Sequence, residues 1–441
     1  MGKNKRVPLV AKPTKRRRII ELGKDALIVA LTCSALFLAW RTPLATQLRG
    51  WMDPPTRTVA AAERQPREAV TPYGVTARNG LGLYGAVYDE EQVRRTFEQL
   101  SPLLGEGFAT AGEPERISRR QWQELLERPG IYCVFQGAPP LSALSAWIGE
   151  EGTAPEGRAQ SLLLAWDGAQ VKLCWRNAEG YYLCPTAVAY EGHMDSILGE
   201  FNPNGVALAY TLAQTDRAYA SVDPDVLVPM TAPRPKGYAV SSPDLVGDQE
   251  ALGQLLAALG FQSGVGSTYE AGGGLAINEN GDRLRIGGDG TVTFHAGEEL
   301  RYPVAYQGEG ATGEEAAMAA WTLLERAAAP WKGETLYVLT GVEEVAAGWK
   351  ITFHGRLNGI PLRVGAEGWC ASFTVRGGAV SDFTLSLRSY EPTEETLLIP
   401  GQRLAAAAMN APFHQDSGKK LTLCYSEGAG AFLTAGWTAE E

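Results

Sequence analysis

The sequence has few of the residues that build metal sites. It contains only four histidines among 441 residues, and no two of them are close enough along the chain to form a local metal pair. No two cysteines have the Cys-x-x-Cys spacing of zinc sites, and no cysteine clusters with histidine. We therefore expect no bound metal. The histidines are His193, His295, His354 and His414.

Motifs of catalytic and nucleotide-binding proteins are missing as well. The chain has no Gly-x-Ser-x-Gly elbow, no Walker loop and no Gly-x-Gly-x-x-Gly between a predicted strand and a predicted helix. Ser417 and Lys420 have the Ser-x-x-Lys spacing of penicillin-interacting serine enzymes, but they lie in a polar loop and not at the helix start that this motif requires. These absences predict no catalytic residues, no cofactor and no enzymatic activity.

Basic residues are scarce outside the first 25 positions. Residues 1–25 hold nine Lys or Arg and two acidic residues, whereas the other 416 residues carry a net charge of -17. An acidic surface repels phosphate backbones, so nucleic-acid binding is not expected. The dense basic run from Lys15 to Arg18 directly precedes an apolar segment, which is typical of the cytoplasmic flank of a membrane helix.

That apolar segment contains fifteen uncharged residues, from Ala26 to Trp40. As a helix it would be about 22 Å long, shorter than a hydrocarbon core of about 30 Å, but the flanking Lys24 and Arg41 can extend to the interfaces. We predict a single transmembrane helix over 25–41, with a cytoplasmic tail over 1–24 and the bulk of the chain outside the cell membrane. A cleaved signal peptide is the alternative, but no small-residue cleavage site follows closely.

Small residues recur along the predicted transmembrane helix. Ala26, Ala30 and Ser34 are spaced four apart, so they lie on one helix face and would let another helix approach closely. We take this as a hypothetical partner-helix face. The alternative is that alanine is simply common in such helices.

Five cysteines lie outside the predicted transmembrane helix, and an odd number cannot pair completely. Cys174 and Cys184 flank the turn-like residues 177–180, and in a hairpin they could face each other closely enough for a disulfide. The alternative is that both are buried thiols. The sequence leaves both interpretations open.

Four segments follow the transmembrane helix. Residues 42–72 contain five prolines and no sustained apolar period, which predicts a stalk. Residues 73–235 predict an α+β domain, residues 236–306 a helix with a β-meander, and residues 307–441 a second α+β domain. The predicted fold class is therefore α+β, with helices packed on antiparallel sheets behind one transmembrane helix.

Capping and turn residues mark the ends of many predicted elements. Asp89 and Ser118 are typical helix N-caps. Asn-Gly and Asp-Gly dipeptides at 280–281, 289–290 and 358–359 predict tight hairpins. Long β-type runs are predicted from Val345 to His354 and from Val380 to Tyr390.

Three stretches resemble one family: Ser118 to Gly137 (SRRQWQELLERPGIYCVFQG), Leu252 to His295 (LGQLLAALGF, then NGDRLRIGGDGTVTFH) and Ile351 to Tyr390 (ITFHGRLNGIPLRVG, then FTVRGGAVSDFTLSLRSY). They are similar to the YycH/YycI proteins, and the region before the second stretch is more YycH-like. The resemblance implies a single-span accessory protein of the WalK/WalR (YycG/YycF) two-component system, which controls cell-wall metabolism in Gram-positive bacteria. It implies no catalysis.

The resemblance also implies partners. A membrane sensor histidine kinase is expected beside the transmembrane helix, and a YycI-like sister protein is expected as a further partner. The predicted function is therefore regulation of that kinase through transmembrane and extracellular contacts. The alternative from the residues themselves is a cell-envelope module that binds peptidoglycan or another polymer through aromatic side chains.

Overall fold

The structure is a computed structural model and describes residues 66–441 except 150–153, 230–233, 263–266, 299, 307, 309, 411–418, 429 and 441. The predicted tail 1–24, the predicted transmembrane helix 25–41 with Ala26, Ala30 and Ser34, and positions 42–65 of the predicted stalk lie outside the described residues. Within the described part of the chain, no helix is both long and apolar enough to cross a membrane.

The predicted helix starts are confirmed at their caps. Asp89 accepts a hydrogen bond of 3.1 Å from the backbone N–H of Gln92, and Ser118 forms a capping box with Gln121. These contacts satisfy N–H groups that a helix start leaves unpaired. The helices of the described chain are α1 (Glu90–Ala109), α2 (Arg119–Leu126), α3 (Leu141–Ile148), α4 (Asp195–Glu200), α5 (Ala209–Ala213), α6 (Gln249–Ala258), α7 (Gly313–Ala328) and α8 (Gln402–Met409), with 3₁₀ turns at Pro66–Val70 and Arg217–Tyr219 and a π-type turn at Tyr190–Met194.

The first sheet has seven antiparallel strands in the order β2-β1-β4-β5-β6-β7-β3. Leu162 and Leu164 of β5 belong to the main core, whereas Leu163 packs with Trp122 of α2 on the opposite face. Both faces are therefore covered, which explains the unbroken apolar run in β5. The strands are β1 (Gly74–Arg78), β2 (Tyr84–Val87), β3 (Glu115–Ile117), β4 (Gly130–Val134), β5 (Ser161–Trp166), β6 (Val171–Asn177) and β7 (Gly180–Pro185).

The hairpin of β6 and β7 forms as predicted, but the disulfide within it does not. Both cysteines are free, because Cys174 pairs with Leu183 and Cys184 pairs with Leu173 in the strand register. Neighbouring positions on a strand point to opposite faces of the sheet. A shift of one residue in the register therefore sends the two thiols to opposite faces, and the disulfide interpretation is wrong.

The second sheet has eleven strands, in the order β11-β12-β13-β14-β19-β18-β16-β17-β21-β22, and β15 also pairs with β16. Its neighbouring strands are antiparallel except β17 and β21. Its strands are β11 (Ser267–Ala271), β12 (Gly274–Glu279), β13 (Asp282–Ile286), β14 (Thr291–His295), β15 (Leu336–Val345), β16 (Gly348–Leu357), β17 (Ile360–Arg363), β18 (Ala371–Arg376), β19 (Ala379–Ser386), β21 (Lys420–Glu427) and β22 (Leu433–Glu440). Two small sheets pair β8 (Ala207–Leu208) with β9 (Leu227–Val228), and β10 (Lys236–Ser241) with β20 (Ser389–Thr396).

The second sheet contains strands from two predicted domains. Strand β14 of the predicted middle domain 236–306 pairs with β19 of the predicted C-terminal domain 307–441. The boundary predicted between residues 306 and 307 therefore lies between strands of one sheet. The coarser prediction, an α+β fold with antiparallel sheets, is confirmed.

Two long predicted strands are each interrupted in the structure. Ala347 has a φ of 68° and reverses the chain, so Val345 ends β15 and the next strand starts at Gly348. The other run divides between β19 and β20. An alanine with positive φ is uncommon, so the first of these turns has no local sequence signal.

The two sheets share one apolar core through their helices. Helix α3 packs with α1 against the first sheet, and α7 packs on β15, β16, β18 and β19 of the second sheet. The rings of Trp147 in α3 and Trp321 in α7 have centroids 6.4 Å apart. Buried residues from both sheets therefore belong to a single hydrophobic cluster.

Residues 66–72, predicted as the end of the stalk, are packed against the folded body. Ala69 and Val70 are fully buried. The buried guanidinium of Arg356, on β16, donates hydrogen bonds of 3.1 Å to the carbonyl of Thr71 and 3.0 Å to the carbonyl of Pro72. The stalk prediction is therefore wrong for these last residues, because their apolar side chains complete the core.

A second contact between the sheets requires glycine at position 137. The N–H of Ala138 donates to the carbonyl of Thr340 at 3.1 Å, and Gly137 has a φ of +77°. A Cβ atom at position 137 would lie 2.5 Å from the Thr340 carbonyl oxygen. The loop after β4 approaches β15 this closely only because the side chain is absent.

Replacing Gly137 by alanine is expected to destabilise the protein more than the same change at Gly260. Both residues have similar positive φ values, +77° and +69°, but nothing lies within 4 Å of a Cβ atom at position 260. Positive φ should cost each variant about 1–2 kcal/mol, and the clash should cost Gly137→Ala about 1–3 kcal/mol more. Chemical denaturation measures both, and equal losses of stability would contradict the close contact.

Candidate functional site

A cavity of about 410 Å³ lies where the first sheet meets the second sheet. One side is formed by β4, β5 and β6, and the other by β17, β21, β22 and α8. Tyr73 and Tyr88 also border it. This volume falls within the range of about 300–1,000 Å³ that is common for small-molecule sites.

The cavity follows from a divergence of two neighbouring strands. In the described chain, β17 pairs with β21 only at Leu362 with Tyr425 and at Arg363 with Ser426. The preceding residues of β17, Ile360 and Pro361, border the cavity instead. Earlier residues of β21, from Lys420 to Leu423, border it as well, so the space opens where the parallel pairing ends.

A hairpin turn predicted from the sequence forms one edge of this space. Asn358 and Gly359 have φ values of 49° and 78°, which identifies the predicted tight turn. The N–H of Gly359 donates to the carboxylate of Glu90 at 2.6 Å. A Cβ atom at position 359 would lie 2.6 Å from the carbonyl oxygen of Tyr88. The turn is therefore held directly against the start of α1.

Two buried carboxylates, Asp223 and Asp225, form a charged part of the wall. They are 2% and 0% exposed. Arg176 of β6 forms ion pairs with both, at 3.3 Å to Asp225, and Arg119 lies 3.4 Å from Asp223. Two guanidinium groups thus balance two carboxylates.

The carboxylate of Asp225 accepts hydrogen bonds from three side chains of the protein. Tyr181 donates to it at 3.0 Å and Gln123 at 3.3 Å, in addition to Arg176. Burial raises the pKa of Asp225, and the neighbouring Asp223 raises it further, whereas Arg176 lowers it. A carboxylate with these contacts is suited to holding the wall together.

Three residues that border the cavity each have a buried polar atom that makes no hydrogen bond within the described chain. These atoms are the hydroxyl of Tyr88, Oε1 of Gln402 and Oγ1 of Thr422. Gln402 and Thr422 are only 7% and 5% exposed. Each unpaired buried group costs about 1–3 kcal/mol. The three atoms have less than 1 Å² of accessible surface, so they lie behind the cavity wall and do not face its open space.

The three histidines that the structure describes do not border the cavity. His193 lies 3.3 Å from Glu106, His354 shares a hydrogen bond of 2.7 Å with Thr340, and His414 lies outside the described residues. Among the described residues, no group of three or more His, Cys, Asp or Glu side chains is placed to hold a metal ion.

His295 takes part in a serine–aspartate–histidine set that does not have the geometry of a catalytic triad. Its Nδ1 lies 2.6 Å from Asp382, and Ser381 donates to the same carboxylate at 2.8 Å. In a triad the serine is paired with the histidine and not with the acid. The set is a surface cluster on the second sheet.

Three buried cysteines of the described chain also lack the features of nucleophiles. Burial raises the pKa of the Cys184 thiol to about 11 and of the Cys133 and Cys370 thiols to about 12, which keeps them protonated. Lys420 begins β21 and borders the cavity, whereas Ser417 lies outside the described residues.

Sequence reasoning missed the main residues of the cavity. Asp223 and Asp225 lie beside several prolines in a stretch that was interpreted only as the end of a domain. Arg176, their partner, is more than 40 residues away in the chain. The Asp-Pro-Asp sequence was the available signal, but it is too short to indicate a buried cluster.

Comparisons of the chain with known protein families, with curated proteins and with solved structures find no match.

Removing Arg176 is expected to destabilise the protein strongly. Arg176→Leu leaves two buried carboxylates with only the half-exposed Arg119 as a cationic partner. Loss of one member of a buried ion pair costs about 3–5 kcal/mol. Arg120→Leu is the control, because Arg120 is exposed and its pair with Glu124 is worth about 0.5 kcal/mol. Chemical denaturation compares them, and similar stability of both variants would contradict the cluster's role.

His354 is expected to make stability depend on acid pH. Burial, with the nearby Arg363, lowers the pKa of His354 to about 4 from 6.5. Between these values the unfolded state binds more protons than the folded state, so stability should fall as pH drops through this window, by about 3 kcal/mol in total. His354→Asn should remove this pH dependence of the free energy of unfolding, which is measured by denaturation curves at a series of pH values from 4 to 7. An unchanged slope would argue against a buried, neutral imidazole.

Proposed function

We propose that this protein is a membrane-anchored extracytoplasmic regulator that modulates a sensor histidine kinase of a cell-wall two-component system through transmembrane and extracellular contacts. The observation that carries the proposal is the order of charge along the chain. A basic tail with a net charge of +7 precedes an apolar segment, and a body with a net charge of -17 follows. This order favours a cytoplasmic tail and an external body. The resemblance to the YycH/YycI proteins supplies the histidine kinase and the sister protein as partners.

The attachment of the entering chain supports a role in relaying signals. Arg356 of β16 binds the carbonyls of Thr71 and Pro72, the last two residues of the predicted stalk. Tyr73, the next residue, borders the cavity. A change at the cavity would therefore act on the segment that leads to the membrane helix. Coupling of this kind requires an element that both sites contact, and β16 with its following turn is that element.

The engaged state of the buried carboxylates favours binding over catalysis. Arg176 and Asp225 fill each other's bonding positions, so the cavity offers recognition groups and no free acid–base pair. A second candidate function, a cell-envelope binding module, is favoured by the aromatic side chains of the wall. These are Tyr73, Tyr88, Tyr132 and Trp437. The two functions are compatible in a regulator that binds an envelope component.

The proposed function predicts that the small-residue face of the transmembrane helix contacts the histidine kinase. Replacing Ala26, Ala30 and Ser34 together by isoleucine should reduce the histidine kinase that co-purifies with tagged full-length protein from native membranes, because bulky side chains prevent close helix approach. The measurement is the amount of kinase recovered at equal amounts of the tagged protein. Phosphorylation of the response regulator should change in the same variant.

The matched control places the same side chains on the opposite face of the predicted helix. The triple change of Thr32, Ala35 and Ala39 to isoleucine adds similar bulk about half a turn away. It should leave kinase recovery unchanged. If no histidine kinase co-purifies with the unaltered protein, and its deletion leaves response-regulator phosphorylation unchanged, the proposed function is wrong.

A further inference from the structure

Apolar side chains of the cavity wall remain partly open to solvent. Residues that border the cavity from five separate parts of the chain are only half-buried. They include Tyr88, Val134, Val226, Leu227, Ile360 and Trp437. Removing apolar surface from water stabilises a complex, and ligand sites are typically concave and mostly apolar. This wall therefore favours a ligand with a large apolar part.

The buried polar groups of the wall offer little to a ligand that carries many hydrogen-bonding groups. Arg176 is bound to Asp223 and Asp225, and the three unpaired polar atoms described above lie behind the wall. A peptide or a sugar would bury N–H or O–H groups against this surface, and each group left without a partner weakens binding. A hydrocarbon chain has no such groups, so it fits the apolar part of the wall without this loss.

Polar residues that solvent reaches also border the cavity, and they suit the polar end of an amphiphile. Asp89 and Arg234 are exposed, and Gln160, Asn358 and Lys420 are half-buried. These side chains offer both signs of charge together with neutral donors and acceptors. A polar head of either charge therefore meets a complementary group, while the chain behind it contacts the apolar wall.

The volume of the cavity sets the length of that chain. One water molecule occupies about 30 Å³ in the liquid, and a methylene group is of similar size, so about 410 Å³ accommodates roughly a dozen carbon atoms. The predicted transmembrane helix places a source of such chains nearby, because residues 42–65 span at most about 80 Å and keep the body close to the bilayer. Tyr73, which follows the attached residues 66–72, borders the cavity.

We infer that the cavity binds the unbranched acyl chain of a single-chain amphiphile, with the polar head among Asp89, Arg234 and Lys420. A free fatty acid and a lysophospholipid share this chain and differ in the head. The inference rests on the proposed function for the membrane as the source of the ligand. It names the ligand class of the cavity in the proposed regulator.

Photo-crosslinking of the full-length protein in phosphatidylcholine nanodiscs tests the ligand class. The probe is dodecanoic acid with a diazirine near the end of its chain. Irradiation should attach it saturably, once per chain, to peptides that contain residues 226–229 or 421–423 of the wall. Unlabelled dodecanoic acid should compete. Hexanoic acid should compete at least about a hundredfold more weakly, because each lost methylene weakens apolar binding about fourfold.

Competition by dodecanoyl lysophosphatidylglycerol identifies the head. Its acyl chain is that of dodecanoic acid, so any difference between the two competitors comes from the head. Stronger competition than by dodecanoic acid assigns a lysophospholipid to the cavity, and weaker competition assigns a free fatty acid.

Two variants that fill the space connect the crosslink to the cavity. Ile360→Trp and Val226→Trp each add a ring from a different part of the wall, and each should lower crosslinking about tenfold or more. Both side chains are half-buried and border open space, so the melting temperature of the ligand-free protein should stay unchanged. If one variant melts at a lower temperature, the other decides the result. Leu300→Trp is the matched control, because Leu300 is 48% exposed, does not border the cavity and should keep full crosslinking.

Crosslinks spread over the surface of the body, equal competition by hexanoic and dodecanoic acid, or full crosslinking in both filled variants would each overturn the inference. Absence of any crosslink at the wall would overturn it as well, and would leave the cavity to water or to the protein's own residues. None of these results depends on a kinase. Failure of the crosslinking with successful kinase co-purification would therefore reject the ligand class alone, and the converse would reject the kinase partner alone.

Discussion

The buried guanidinium of Arg356 is the constraint on which the arrangement of this protein depends. A cation that is 1% exposed is very costly unless its donors are satisfied. The carbonyls of Thr71 and Pro72 accept from its two terminal nitrogens, whereas its Nε–H has no hydrogen-bond partner in the described chain. Burial lowers the pKa of Arg356 to about 10, which leaves it charged at neutral pH. Strand β16 must therefore lie against the segment that contains Thr71 and Pro72. The turn that follows β16, at 358–359, is bound to the carboxylate of Glu90.

The cavity is a consequence of the same arrangement. Because the turn at 358–359 is bound to the start of α1, β17 leaves β21 before their pairing extends toward Leu423. The protein closes the charged part of the resulting space with its own ion pairs at Arg176. Because these ion pairs are complete within the wall, this part of the cavity is formed before any molecule enters it, as in most small-molecule sites.

Features of this chain were predicted correctly where the contacting residues are close together in the sequence. Helix starts at Asp89 and Ser118 and the turn at 358–359 were predicted because the residues that make these contacts are within four positions of each other. The disulfide interpretation was wrong because the strand register differs by one residue from the one that would bring the two thiols together. The turn at Ala347 has no local sequence signal. The cavity is bordered by residues that lie as far apart in the chain as Tyr73 and Trp437, so no short motif predicts it.

The sequence by itself determined the charge asymmetry, the apolar segment, the α+β class and most hairpin turns, since these depend on composition and on neighbouring residues. Only the tertiary structure decided that Arg356 receives the chain at Thr71, that Cys174 and Cys184 point to opposite faces, and that Arg176 meets Asp225 at a cavity. Those features depend on strand register and on the meeting of two sheets. Such contacts are selected by burial and charge over the whole core, and no local stretch of the chain encodes them.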